Sequence, residues 1–185
     1  MAVARGYAHL GCKPQNSSLT LDLLLTRVGP RFGTDHDDCD GRSDVSYSRH
    51  GLLVRGARAV AIGLQVEHQH GDLVLWEGEG GAVFMFQAEL PYKDANYSSV
   101  GFRVVSSVTA HSIVGGGVYA IGSLYPVPVG VRLPSTATAT NLFVWAINSM
   151  VADRFGHVVC TGTSSDQKCY PGQCDYVSCR QLALP

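Results

Sequence analysis

The amino-acid sequence predicts an all-β protein, an antiparallel β-sandwich or jelly roll with a cysteine-rich C-terminal extension. Apolar residues recur with a period of two rather than the helical period of about 3.6. Turn residues separate the short apolar runs at intervals of roughly ten residues, as in sandwiches and barrels. After residue 152 the apolar runs stop, and four of the six cysteines follow. We therefore predict a β domain over residues 1–152 and a disulfide-stapled extension over residues 153–185.

The N-terminal half contains one ambiguous segment, a predicted hairpin and a predicted central strand. Leu19–Val28 fits a helix or a strand, and it is the only helical candidate. Residues 64–67 alternate apolar and polar side chains, and a turn separates them from the apolar run 73–76, which predicts a β-hairpin. Residues 82–87 are apolar on both faces, as expected of a strand in the centre of a sheet.

The C-terminal half adds three predicted strands and one turn. Residues 101–105 form a short, largely apolar run. Residues 127–133 alternate, and Pro128 places this strand at an edge because proline cannot donate a hydrogen bond to a neighbour. Residues 141–148 carry aromatic and β-branched side chains on both faces and form the strongest late strand. Gly115–Gly117 predict a turn or a bulge.

Charge and hydropathy exclude two classes of function. Charged residues make up 16% of the 185 residues, and the formal net charge is −1. Basic residues are scattered rather than clustered, so we expect no nucleic-acid partner. No apolar run approaches the roughly 18 residues of a membrane span, so we expect no membrane insertion. The weakly charged surface instead suits a protein that is secreted or that packs against copies of itself.

The even number of cysteines predicts a disulfide framework, whose pairing the sequence leaves open. Disulfides suit an extracellular protein, and they would restrain a tail that cannot bury much apolar surface. Zinc is one alternative, since the last three cysteines lie at the edge of the spacing that structural zinc sites use, and reduced, unpaired thiols are another. The six candidates are Cys12, Cys39, Cys160, Cys169, Cys174 and Cys179.

Two further groups of residues are candidates for a metal site or a modification. The segment 35–44 is rich in acidic side chains, with Asp38 and Asp40 as candidate calcium ligands, and a solvated loop is the alternative interpretation. Asn16 and Asn96 each begin an Asn-x-Ser triplet and are candidate glycosylation sites. We otherwise expect no cofactor.

The two histidines His68 and His70 would project from the same face of a strand, which is a common start of a metal site. Together with Glu77–Gly80 they resemble the first motif of the cupins, and Gly122–Gly130 resembles the second. The resemblance implies a jelly roll that binds a metal. Leu133 stands where the second motif ends in a histidine. Exposed histidines beside a turn are the alternative interpretation.

Short apolar segments also occur in the order found in the tumour necrosis factor and C1q-like ligands. They are residues 8–10, 71–75, 84–87, 116–119 and 143–147. In these segments the chain resembles that family. The resemblance implies a jelly roll and a trimeric extracellular ligand that binds a cell-surface receptor.

Three functional hypotheses follow, and none has an assigned catalytic residue. The first is a non-enzymatic subunit that packs with copies of itself, such as a viral capsid, capsid-decoration or attachment protein, located extracellularly or on a virion surface. The second is the trimeric receptor-binding ligand. The third is a cupin-like metal-dependent enzyme, in which His68 and His70 would bind the metal together with Glu77 or His111.

Overall fold

The computed structural model of this chain describes residues 27–28, 50–67, 71–91, 99–121, 127–147, 155–163, 165–170 and 182–183. None of these residues is helical, and none of them belongs to a helix that is long and apolar enough to cross a membrane. The strands are β1 (Arg27–Val28), β2 (Leu52–Val54), β3 (Val60–Glu67), β4 (Val74–Trp76), β5 (Gly81–Glu89), β6 (Phe102–Val104), β7 (His111–Ile121), β8 (Val127–Leu133), β9 (Thr138–Ile147), β10 (Phe155–Thr161), β11 (Lys168–Tyr170) and β12 (Leu182–Ala183).

The strands form two six-stranded sheets between which the chain alternates. Sheet 1 has the order β1-β3-β5-β7-β9-β12, and sheet 2 has the order β11-β10-β8-β6-β4-β2. The pairs from β1 to β9 in sheet 1 and from β2 to β10 in sheet 2 are parallel. The chain therefore winds from one sheet to the other and returns one strand further along, which is a parallel β-solenoid. The predicted antiparallel sandwich or jelly roll is wrong.

Two local predictions are wrong because periodicity identifies strands without specifying their neighbours. β3 and β4 do not form a hairpin, since β3 pairs with β1 and β5 whereas β4 pairs with β2 and β6. β8 is not an edge strand, since it lies between β6 and β10. Pro128 is tolerated because β6 pairs with β8 only at Val131 and Arg132, beyond the proline.

Of the ambiguous segment Leu19–Val28, only its last two residues are described, and they form β1.

Parallel pairing in register stacks equivalent residues into columns that run along the solenoid. One column on the inner side of sheet 2 consists of buried apolar residues from five successive turns. Its members are Leu52, Val74, Phe102, Val131 and Val159. The inner side chains of each turn pack against those of the turns before and after it, so the stacked columns form one continuous core.

A row of residues with left-handed backbone runs along sheet 1, one residue in each of four successive strands. Gly63, Met85, Gly115 and Asn141 have φ values of 66°, 57°, 77° and 58°. The residues on both sides of these four are paired in register, so the four occupy the same position in successive turns. We call them the corner row. They divide the outer surface of sheet 1 into a face before the corner row and a face after it.

Large and small residues complement each other between neighbouring elements of the core. The ring of Phe86 fills the space beside Gly116, where a Cβ atom would lie 2.2 Å from Phe86 Cδ1. Trp76 fills the space beside Gly81 in the same way, and its indole N–H donates a hydrogen bond of 3.1 Å to the carbonyl of Gly78. Burial of a phenylalanine ring contributes roughly 1.5–3 kcal/mol to stability.

β10 and β11 extend sheet 2 at the end opposite β2. β10 pairs in parallel with β8, and β11 folds back to pair antiparallel with β10. A disulfide joins Cys160 of β10 to Cys169 of β11. The sheet thus continues beyond residue 152, while residues 148–154 lie outside the described residues. The domain boundary at residue 152 stays a prediction.

Candidate functional site

Most residues that the sequence singles out lie outside the described residues, so the corresponding calcium, zinc, glycosylation and histidine sites stay predictions. These residues are Cys12, Asn16, Asp38, Cys39, Asp40, His68, His70, Asn96, Cys174 and Cys179. The other two cysteines, Cys160 and Cys169, form the disulfide between β10 and β11.

The two proposed companions of the histidine pair lie in different environments. Glu77 accepts a hydrogen bond of 2.7 Å from Nε of Arg55, whose side chain is largely exposed. His111 is buried within the solenoid. Across the described residues, no three His, Cys, Asp or Glu side chains form a group that suits a metal ion.

His111 packs as a core residue. Its ring lies edge-on to Trp76, with 4.9 Å between the ring centroids, and 5.9 Å from the ring of Phe102. Neither ring nitrogen has a hydrogen-bond partner in the part of the chain that the structure describes. Burial lowers the pKa of His111 to about 4, against an opposing attraction from Glu79. The imidazole is therefore neutral at neutral pH.

A groove of about 320 Å³ lies on the outer surface of sheet 1 where the strands pass the corner row. Gln65 and Gln87, which are Cα partners in adjacent turns, contribute amide groups, and Asn141 contributes a third. Tyr119 and Phe143 contribute aromatic rings. None of the twelve residues that line the groove carries a charge. The groove therefore combines aromatic surface with neutral groups that both donate and accept hydrogen bonds.

The aromatic part of the groove extends along the face after the corner row. Phe143 lies over Gly117, where a Cβ atom would come within 2.4 Å of Phe143 Cζ. Tyr119 packs edge-on against Phe143 at 5.5 Å between centroids and lies 6.1 Å from Trp145. Partial burial raises the pKa of Tyr119, so its phenol stays protonated near neutral pH. The three side chains are half-buried and present a connected aromatic surface.

Two carboxylates lie in the same outward-facing part of sheet 1. Glu67 and Glu89 are Cα partners in adjacent turns, and Glu89 is in turn the partner of Tyr119. They are only 7% and 9% exposed. Adjacent strands lie about 4.8 Å apart, so the two carboxyl-bearing backbones are direct neighbours beside the aromatic surface.

Sequence reasoning did not identify this groove. Its members come from four strands that are distant in the chain, and only the register of sheet 1 brings them together. A signal was present in the aromatic residues at alternate positions, Phe143 and Trp145, but their alternation was attributed to a strand with two apolar faces. Gln65 lies on the polar side of the alternating segment 64–67, whereas Gln87 ends the segment 82–87, which is predicted to be apolar on both faces.

Comparisons with known proteins fit the solenoid. The family described as LAM55 pectate lyase-like domain matches residues 22–89. The solved structure of sacteLam55A from Streptomyces sp. SirexAA-E superposes with a TM-score of 0.61 and 21% sequence identity, over 76% of this chain and 27% of that chain. This chain shares its fold. It spans about a quarter of the length of that structure, and a comparison with curated proteins found no match.

These findings correct the functional predictions made from the sequence. A solenoid similar to a pectate lyase-like domain contradicts the viral capsid, decoration or attachment subunit, and it gives no support to a virion surface or to a homo-oligomer. The tumour necrosis factor-like and cupin-like alternatives both required a jelly roll, which the parallel pairing excludes. The similarity supports the extracellular location that the sequence predicted.

Proposed function

We propose that this chain is a secreted β-solenoid domain that binds a neutral polysaccharide in the groove on the outer surface of sheet 1. The observation that carries the proposal is the pairing of an aromatic surface with uncharged amide groups in one groove. The similarity to a pectate lyase-like domain supports it, because that name links the fold to a polysaccharide.

The aromatic surface suits the apolar faces of sugar rings. Tyr119 and Phe143 are rigid, partly exposed rings that present apolar area at a low entropic cost, and such area dominates the energetics of binding sites. Their mutual edge-on packing fixes the orientation of both rings before a ligand arrives.

The amide groups suit sugar hydroxyls. A hydroxyl donates one hydrogen bond and accepts others, and the side chains of Gln65, Gln87 and Asn141 offer both functions without a charge. Gln65 and Gln87 are Cα partners on adjacent strands, whose backbones lie about 4.8 Å apart, so the groove has equivalent amides on successive turns of the solenoid. An uncharged groove favours a neutral saccharide over an acidic one.

Binding of soluble glucans tests the proposal. Isothermal titration with β-1,3-, β-1,4- and α-1,4-linked glucose oligomers should give saturable binding to at least one of them. Phe143→Ala should weaken that binding about 3- to 10-fold because an aromatic contact is lost. The matched control is Phe84→Ala, which removes a more exposed ring from the face before the corner row. Absence of binding to all three, or equal losses in both variants, would contradict the proposal.

Cleavage of the bound glycan is a second candidate function, favoured by the position of Glu67 and Glu89 beside the aromatic surface. Paired carboxylates serve as acid and nucleophile or as acid and base in glycoside hydrolysis. Analysis of the same glucan mixtures for new reducing ends tests it. Loss of new reducing ends in Glu67→Gln or Glu89→Gln, with glucan binding retained, would support catalysis. If the unmodified protein releases no reducing ends, the domain binds glucan without cleaving it.

A further inference from the structure

A second groove, of about 470 Å³, lies on the outer surface of sheet 2 and differs chemically from the first. Two arginines, Arg103 and Arg132, line it, and they are Cα partners on β6 and β8. Ser106, Thr163 and Gln167 add hydroxyl and amide groups. This groove therefore has cationic and neutral hydrogen-bonding groups where the groove of sheet 1 has aromatic rings.

The two arginines differ in how their charges are balanced. Arg103 donates from Nε and Nη2 to both oxygens of Asp72, with 3.1 Å from Nη2 to Oδ1, and Asp72 is nearly buried. Asp72 also accepts a hydrogen bond of 3.0 Å from the backbone N–H of Val100. This network fixes Arg103 and neutralises its charge.

Arg132 has no comparable partner. Among the described residues, no carboxylate forms an ion pair with Arg132 and no side chain accepts a hydrogen bond from it. Like charges on directly opposite residues of neighbouring strands destabilise a sheet. The arginine pair in its groove therefore has an uncompensated positive charge that an anion would balance.

One wall of the groove is covalently fixed beside Arg132. Gly162, Thr163 and Gln167 belong to the turn between β10 and β11, and they line the groove. The Cys160–Cys169 disulfide closes this turn, and Cys160 is the Cα partner of Arg132. Within the turn, Asp166 accepts hydrogen bonds from the Thr163 backbone N–H at 2.7 Å and hydroxyl at 2.8 Å, and it does not itself line the groove.

We infer that the groove of sheet 2 binds one oxyanion group, a carboxylate or a sulfate, carried by an acidic sugar. Arg132 is the principal contact, because a planar guanidinium matches the geometry of such a group with two parallel hydrogen bonds. Ser106 and Gln167 contact the hydroxyls of the sugar. This site is independent of the proposed neutral-glycan groove, which lies on the other sheet.

Titration of the full chain with glucuronate, glucose 6-sulfate and inorganic sulfate, with glucose as the neutral probe, tests the inference. At least one sugar anion should bind more tightly than glucose, with an affinity that falls as salt is added. Arg132→Gln should weaken this binding by about ten-fold or more. The matched control Arg55→Gln, which alters an exposed arginine away from the groove, should leave it unchanged.

Reduction of the Cys160–Cys169 disulfide should also weaken binding of the sugar anion, because the groove wall loses its covalent restraint. Preference for glucuronate assigns a carboxylate, and preference for glucose 6-sulfate assigns a sulfate. Two results would overturn the inference. One is binding of neither sugar anion above the level of glucose. The other is a melting temperature of Arg132→Gln as strongly lowered as that of Arg103→Gln, which would mean that another part of the chain already pairs with Arg132.

Discussion

The inner and outer sides of β7 accommodate an aromatic ring in the same way, with different consequences. Gly116 faces the core, and the ring of Phe86 from the turn before fills the missing side chain's space. Gly117 faces outward, and the ring of Phe143 from the turn after lies over it. Phe86 is 5% exposed, whereas Phe143 is only half-buried. The first ring stabilises the solenoid, and the second is available to a ligand.

The comparison shows how a solenoid separates stability from function. Successive residues of one strand face opposite sides, so a single pair of adjacent glycines supports both a core contact and a surface contact. Side chains on the outer columns can vary without loss of the core because the inner columns pack against each other without them. The strongest test is therefore whether removal of an inner ring lowers the free energy of unfolding more than removal of the matching outer ring.

Phe86→Ala should produce the largest effect on stability. Removal of a buried ring next to Gly116 leaves a cavity that neither residue can fill, and such changes cost about 3–5 kcal/mol. Phe143→Ala removes the matching outer ring and should cost less than about 1 kcal/mol. Urea denaturation followed by circular dichroism measures both. Equal losses for the two variants would mean that the outer ring is part of the core and would break the comparison.

Four of the strands could be predicted from the sequence, but their pairing could not, and residues 115–117, predicted as a turn or a bulge between strands, lie within β7. β5, β6, β8 and β9 lie within or close to the predicted segments 82–87, 101–105, 127–133 and 141–148. Alternation shows that a strand has an inner face, whereas parallel pairing depends on residues a whole turn away. An antiparallel sandwich and a parallel solenoid impose the same local alternation of inward and outward side chains along a strand.

The repeat that would have indicated a solenoid is masked by variation within the columns. Ala59, Gly81, His111 and Ala137 precede paired residues of β3, β5, β7 and β9 and so share one inner position. Three of them are small, but the large imidazole of His111 interrupts the column, so no single residue type repeats there. The loops between turns also differ in length. Both candidate grooves were missed for a related reason, since their residues meet only once the register is known.

His111 provides a test that acts on the inner side alone. Its pKa is about 4 in the folded protein and near 6.5 when unfolded, so the unfolded chain takes up the proton first as pH falls. Stability should therefore decrease from about pH 6.5 down to about pH 4, by up to ~1.4 kcal/mol per pH unit, and this contribution should level off below pH 4.

Substitution of His111 isolates this contribution. His111→Phe keeps a ring against Trp76 and removes two buried nitrogens that have no partner among the described residues. The variant should gain about 2 kcal/mol relative to the unmodified protein between pH 7 and pH 5. Urea denaturation at both pH values measures this gain. Phe143→Ala keeps His111 and should therefore show the same pH dependence of stability as the unmodified protein. An unchanged pH dependence in His111→Phe would mean that the inner side tolerates the charged imidazole.

Met85 lies in the corner row, between the two outer faces of sheet 1, and should give the smallest effect. It adopts a φ of 57° in the corner row, where the other three positions are two glycines and Asn141. Left-handed backbone costs an ordinary residue roughly 1–2 kcal/mol, and asparagine tolerates it better. Because Met85 is 71% exposed, Met85→Asn should lose little packing and raise stability by about 1 kcal/mol in urea denaturation.

Two matched variants separate backbone strain from side-chain effects at the corner row. Asn141→Met introduces the same residue at the equivalent position two turns later and should lower stability by a similar amount, because it adds the strain that Met85→Asn removes. Phe84→Asn changes the exposed residue next to Met85, which lies outside the corner row, and should bring no gain. A gain from Phe84→Asn equal to that from Met85→Asn would attribute the effect to removal of exposed apolar surface, and the corner row would then be a consequence of the strand pairing rather than a source of strain.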